Sequence, residues 1–180
     1  ENKIKVLGSP RYNREWLEIL SEYIPSYQLP STEKLKIVLF NRHERAFVSK
    51  EEIKNTIRLV TRFRDVHLIV KEHPRTPLID TSSDLTKISN LEIKRNDIDS
   101  AALVDWGDVF LSVGTTISFE PVMRGKPVYS LSYTHSNYTT VAHYFPDSDI
   151  RCKDDLYYAL HDLLDEGCSN FYDEEEHQRF

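Results

Sequence analysis

A chain of 180 residues, 39% of them apolar, is long enough to bury one sizeable core and matches the size of a single domain. Its net charge of −6, from 29 acidic and 23 basic residues spread along the sequence, excludes a general electrostatic grip on nucleic acid or anionic lipid, so any anion site must be local. Two cysteines, Cys152 and Cys168, without metal-type spacing, give neither a disulfide framework nor a zinc module, and no run approaches the roughly 18 apolar residues of a membrane span. The implied setting is reducing and cytoplasmic.

The sequence opens on Glu1 and runs at once into a strand-like stretch over residues 3–7, which reads as a start in the middle of a longer chain. An amphipathic helix is expected over 14–23, a strand over 36–40, a helix over 50–63 and strands over 66–71 and 91–94. A helix over 100–106, a strand over 109–113, a helix over 116–124, a strand over 127–131 and a last helix over 154–164 follow. Ile53, Ile57 and Val60 form an apolar stripe on the second helix, Ser49 and Glu52 make a capping-box start for it, and Gly125 is placed to end the fourth. Residues 169–180, with Asp173-Glu174-Glu175-Glu176, read as a solvated acidic tail behind a domain of residues 1–168.

Strands alternate with helices, and Ile37-Val38-Leu39-Phe40 is apolar without interruption, as in a strand covered on both faces. The fold class is therefore α/β: a Rossmann-like, doubly wound, mostly parallel sheet with helices on both faces. Such sheets bind ligands beyond the carboxyl ends of their strands, so function is sought there.

After the strand ending at Lys71 come Glu72-His73-Pro74-Arg75. One reading is a surface turn; the other is an anion site in which His73, one ring nitrogen held by a neighbour, donates to phosphate while Arg75 or Lys71 adds charge. The next strand leads into Gly114-Thr115-Thr116-Ile117-Ser118-Phe119-Glu120. Gly114 lets the backbone approach an anion, helix-start N–H groups point at it, and the Thr115, Thr116 and Ser118 hydroxyls can add donors. An ordinary strand-to-helix turn with a threonine N-cap is the plain alternative. Glu120 lies one helical turn beyond Thr116 and faces the same crevice, where it could accept both ribose hydroxyls.

Asn41-Arg42-His43, Arg95-Asn96-Asp97 and Ser132-Tyr133-Thr134-His135 also follow strands, and each is equally readable as a surface loop. Arg42 is the candidate to neutralize phosphate charge. His135, His143, His161 and His177 read as ordinary surface or half-buried histidines; no pair has metal-ligand spacing, so metal-independent binding is expected. Asp154-Asp155 reads as a helix N-terminal turn favoured by the dipole.

The run from Gly114 to Glu120, followed by Arg124-Gly125-Lys126-Pro127, resembles the C-terminal signature of GT-B glycosyltransferases, which pair two Rossmann-like domains. His73-Pro74 is similar to the His-Pro element of bacterial capsule-type transferases, sialyltransferase-like enzymes, teichoic-acid glycerophosphotransferases and UDP-N-acetylglucosamine 2-epimerases. Gly8-Ser9-Pro10-Arg11 is similar to the Gly-x-Pro-Arg stretch that opens the C-terminal half of several of them. The resemblance implies a donor-binding half of a glycosyltransferase acting in surface polysaccharide or glycoconjugate synthesis, with a CMP-, UDP- or CDP-linked sugar as substrate and no cofactor. His73 and the Gly114, Thr115, Thr116 and Ser118 turn would hold the phosphate, Arg42 or Arg11 would close the pocket, Glu120 would hold ribose, and the Arg95, Asn96 and Ile98 backbone would meet the base. It also implies that an N-terminal domain supplies the acceptor base and binds a glycan or lipid-linked acceptor, with the full enzyme peripheral at the inner membrane face. The epimerases carry Ser-Gly-Gly and consecutive glutamates where this chain has Gly114-Thr115-Thr116 and a single Glu120, which demotes epimerization. A CDP-alcohol phosphotransferase and a non-catalytic nucleotide-binding module remain as alternatives.

Overall fold

The computed structural model describes residues 12–43, 47–75, 79, 84–136, 140–168 and 171–173. The strand expected over 3–7, the Gly8-Ser9-Pro10-Arg11 stretch, His177 and the acidic run beyond Asp173 lie outside the described residues. Six strands form one sheet: β1 (Leu35–Phe40), β2 (Val66–Lys71), β3 (Leu91–Lys94), β4 (Val109–Ser112), β5 (Val128–Leu131) and β6 (Asp149–Ile150). Their order is β3-β2-β1-β4-β5-β6 and every pairing is parallel, as the doubly wound reading requires. At the centre Val38 stands opposite Ile69 on one side and Phe110 on the other.

Successive strand residues point to opposite faces, which splits the apolar core in two. Ile37 and Leu39 pack with Ile53, Ile57 and Val60 of α2 (Lys50–Val60) and with Leu156, Leu160 and Leu163 of α6 (Lys153–Glu166). Val38 and Phe40 pack on the other face with Leu103 of α3 (Ser100–Trp106), Val122 of α4 (Phe119–Met123) and Val141 of α5 (Thr140–Tyr144). The amphipathic α1 (Arg14–Tyr23) precedes the sheet, capped by the Asn13 side chain.

The larger differences from the sequence expectation have identifiable reasons. The second helix stops at Val60 rather than 63 because the buried Asn90 side chain donates to the carbonyls of Thr61 (3.2 Å), Phe63 (3.2 Å) and Val66 (3.0 Å), folding that stretch into a turn. The helix expected over 116–124 is a 3-10 turn, Thr116–Ser118, followed by the short α4, because Pro121 has no N–H for the carbonyl one turn back. β6 and α5 are too short to leave a periodic pattern, and the sequence reading missed both. The packed chain also continues past 168: Tyr172 Oη accepts from Val128 N (3.0 Å) and donates to Lys126 O (3.1 Å), and its ring lies 4.6 Å from that of Phe145. Burial raises the Tyr172 pKa, so the phenol stays protonated as that donor.

The amino edge of the sheet is fastened by Lys126. Its Nζ donates to the carbonyls of Val104 (2.7 Å), Asp105 (3.0 Å) and Gly107 (2.8 Å), capping the carboxyl end of α3. Burial and the adjacent Arg124 lower its pKa, with Asp105 and Asp108 opposing. Gly107 is required for packing, since a Cβ there would sit 2.8 Å from Phe110 Cζ and from Val38 Cγ2. Lys126→Met, which removes charge-assisted bonds and strands carbonyls, is expected to cost about 2 kcal/mol, and Gly107→Ala about 1–3 kcal/mol from overpacking. Each should lower Tm by several degrees in a thermal melt while leaving the opposite edge of the sheet unaffected; a melt unchanged in both variants rejects this account.

Candidate functional site

β1 leaves the sheet through α2 on one face, whereas β4 is reached through α3 on the other, so the chain diverges between the carboxyl ends of these neighbours. This is the topological switch point where open α/β sheets hold ligands. Arg42 comes from the β1 end and Gly114 from the β4 end, and the Arg42 Nη1 donates to Gly114 O at 2.6 Å. Gly114 has φ +64°, in the left-handed region that disfavours a Cβ. A Cβ would also meet His135 Cε1 at 3.1 Å, His135 Nε2 at 3.2 Å and Arg42 Nη1 at 3.3 Å.

The β1 and β2 ends are stitched together beneath this crevice. The buried Asn41 accepts from Arg42 N (2.9 Å) through Oδ1 and donates to the buried Glu72 Oε1 (3.3 Å) through Nδ2. The next residue, His73, accepts from Arg75 N (3.2 Å) at Nδ1. With Nδ1 acting as acceptor, the neutral ring carries its proton on Nε2 and can donate there. Its ring meets that of His43 edge-on, with centroids 5.2 Å apart. Burial first, then the neighbouring His43 and Arg75, lower the His73 pKa below the ordinary imidazole value.

At the β4 end the hydroxyls divide by role. Ser118 is fully buried and its Oγ is hydrogen-bonded to Ser112 Oγ, with Thr115 Oγ1 at 3.3 Å, while Thr115 N donates to Ser112 Oγ at 3.4 Å. Ser118 thus braces the turn from inside, whereas the sequence pattern counts its hydroxyl among the phosphate donors. Thr115 is half-buried and Thr116 exposed. The Thr116 carbonyl accepts from Tyr12 Oη at 3.1 Å, which brings the start of the described chain to the crevice rim. Glu120, in the first turn of α4, is 5% exposed, so it is no solvated surface carboxylate.

The β3 end departs further from expectation. Lys71, considered as a phosphate charge, instead hydrogen-bonds through Nζ to Arg95 O, and burial lowers its pKa against the pull of Asp97 and Asp99. Arg95 Nη2 donates to Ile79 O (3.0 Å) and Arg95 N to Asp97 Oδ1 (2.7 Å). Arg95, Asn96 and Asp97 line a cleft of about 550 Å³ floored by Ile79, Leu91 and Ile93. The Ile98 side chain does not line it and is buried in the core on the α3 face.

His43 and His135 belong to the crevice although the sequence reading gave them no role. His43 was legible only as a neighbour of Arg42; His135 follows a 3-10 turn and is 9% exposed, a placement no local pattern reveals. His143 and His161 are exposed, as expected, and Asp155 caps the start of α6 by accepting from Arg151 N (3.0 Å) and Cys152 N (3.1 Å). Arg11 lies outside the described residues. Among the described residues no group of three or more His, Cys, Asp or Glu is placed to hold a metal ion.

No family model and no curated protein sequence matches the chain. Solved structures do. The UDP-GlcNAc 2-epimerase from Neisseria meningitidis bound to UDP-GlcNAc is 13% identical with a TM-score of 0.58, over 92% of this chain and 43% of that one. The glycotransferase of kitacinnamycin is 16% identical with a TM-score of 0.57, over 86% and 39%. The wall teichoic acid polymerase TagF is 17% identical with a TM-score of 0.55, over 94% and 41%. The chain thus spans less than half the length of each of these proteins. At these identities the likeness establishes the fold: this is a Rossmann-like α/β domain of the kind found as one half of GT-B-fold proteins.

Proposed function

We propose that the carboxyl edge of the sheet binds the nucleotide part of a CMP-, UDP- or CDP-linked sugar, and that the chain is the donor-binding half of a glycosyltransferase acting in surface polysaccharide or capsule synthesis. The observation that carries this reading is the Arg42–Gly114 bond at the switch point, with His73 at the neighbouring β2 end in ring contact with His43, the residue after Arg42. A guanidinium, an imidazole N–H and an open glycine backbone are complementary to phosphate oxygens. Similarity of fold to proteins whose structures hold UDP-GlcNAc or UDP supports a nucleotide-sugar as the ligand class.

In this reading His73 Nε2 donates to the leaving phosphate, Arg42 and Arg75 balance its developing charge, and the Thr115 and Thr116 hydroxyls add donors. Ser118 holds their turn in shape. Glu120 holds the ribose, with Arg95 and Asn96 toward the base and Arg11 assigned by resemblance. Positioning and electrostatic stabilization are the whole contribution of this half, and cationic side chains take the place of a metal. Residues 1–168 are the proposed nucleotide-binding domain; a partner domain carries the acceptor and its base, so the chain alone has no transfer activity. No described helix is long and apolar enough to cross a membrane; the proposed setting is the cytoplasm, with the full enzyme peripheral at the membrane. CDP-alcohol phosphotransfer is the second reading, favoured by the likeness to TagF, and it uses the same phosphate contacts with another donor.

Among CMP, CDP, UDP, GDP and dTDP, one class is expected to stabilize the chain without magnesium, by about 2.7 kcal/mol at a hundredfold excess over Kd, a rise in Tm of about 5–10 °C. Selective binding of CDP together with transfer of an alcohol phosphate by the full enzyme selects the second reading; absence of any nucleotide binding rejects both. Arg42→Ala and His73→Ala should each weaken binding about tenfold, or about 1.4 kcal/mol, in a domain that still melts cooperatively. Unchanged affinity in the folded variants removes these residues from the site.

His73 has a second signature. Its pKa in the native state is below that in the unfolded chain, so the native state binds fewer protons and loses stability as pH falls through the ordinary imidazole range. Ring-proton NMR should show His73 titrating below that range, moving up in His43→Ala, and moving up again when a nucleoside diphosphate is bound. A His73 titration insensitive to ligand counts against a phosphate contact.

A further inference from the structure

One buried histidine at the crevice has no part in the roles assigned above. Both ring atoms of His135 that face Gly114, and Arg42 Nη1, lie within 3.3 Å of the point where a Gly114 Cβ would stand. Imidazole and guanidinium therefore both border the Cβ position of this glycine, whose carbonyl Arg42 grips. His135 is itself held from elsewhere. Its backbone bridges Val48, Ser49 N donates to Thr134 O (2.8 Å), and Thr134 Oγ1 donates to Leu131 O (2.6 Å). Two residues back, Tyr133 Oη is bonded to Thr56 Oγ1 (2.6 Å) on α2, and burial pushes the Tyr133 pKa up to about 12, keeping that hydroxyl protonated. The β5 end is thus anchored to the start of α2.

Arg42 is the opposite case: a long, half-buried side chain reaching across the switch point, with many rotamers to lose. We infer that His135 is a positioning residue, a fixed ring that fills the space beside Gly114 and confines the Arg42 guanidinium to the Gly114 carbonyl, so that its remaining N–H groups face the crevice. The consequence for ligand affinity rests on the phosphate-binding reading; the confinement of Arg42 does not.

The two are separable by experiment on the chain as it stands. In ligand-free protein the Arg42 Nε–H resonance is assigned by its loss in Arg42→Ala, and His135→Ala is expected to shift it and speed its solvent exchange several-fold. His135→Gln, which keeps a buried polar side chain of similar length, should restore part of the protection, and it serves as the test variant if the alanine protein fails to fold. Nucleotide titration then completes a double-mutant cycle: His135→Ala weakens binding about tenfold when Arg42 is present and less than about twofold in Arg42→Ala. An Arg42 resonance and exchange rate unchanged in a folded His135 variant overturn the positioning role whether or not nucleotides bind. An equal loss of affinity in both backgrounds overturns it too, because His135 then acts on the ligand directly. If the resonance responds but no nucleotide binds the wild-type chain, the positioning role stands and the nucleotide reading falls.

Discussion

β1 is paired along both edges, with β2 on one side and β4 on the other, and its residues Ile37–Phe40 are buried on both faces. That double burial keeps β1 in the interior of the sheet, because a strand apolar on both faces is not suited to an exposed edge. It also places the ends of β1 and β4 next to each other while the helices that follow and precede them lie on opposite faces. The crevice is the gap this leaves. Arg42, Gly114 and the Asn41–Glu72 stitch occupy it because of where β1 lies, so the site is inherited from the same apolar run that forms the centre of the core.

The sequence made the large features legible because they are periodic. α1 and α3 have the expected limits, β2 and β3 match to the residue, and the parallel, doubly wound order follows from the alternation of elements. What it concealed depends on tertiary position. Ser118 looked like a phosphate donor, but in the 3-10 turn its hydroxyl is buried against Ser112. Lys71 looked like a free cation, but it is spent on the Arg95 carbonyl. His135 looked ordinary, and only the pairing of distant loops brings it to Gly114. A single sequence signals which strand ends can carry chemistry; which side chains remain for a ligand is decided by hydrogen bonds between segments far apart in the chain.

The two edges of the sheet have separate duties. At the amino edge Lys126, Asn90, Gly107 and Tyr172 close turns and helix ends with bonds directed at backbone carbonyls. At the carboxyl edge the polar side chains are arranged around an opening. The stretch from Gly114 to Pro127 crosses from one edge to the other, so a motif that reads as a unit contains residues of both kinds: Glu120 lies near the crevice end of α4, and Lys126 fastens α3 on the far side.

The Arg42–Gly114 bond joins residues 72 positions apart. Bringing such distant segments together costs loop-closure entropy before any contact repays it, whereas β1, α2 and β2 are near neighbours in sequence. The β1–β2 half can therefore assemble first from short-range contacts, and the crevice comes into being only when β4 docks against β1. The site therefore exists only where the two halves of the chain have docked, and whatever bridges Arg42 to the Gly114 turn also clasps the first half to the second.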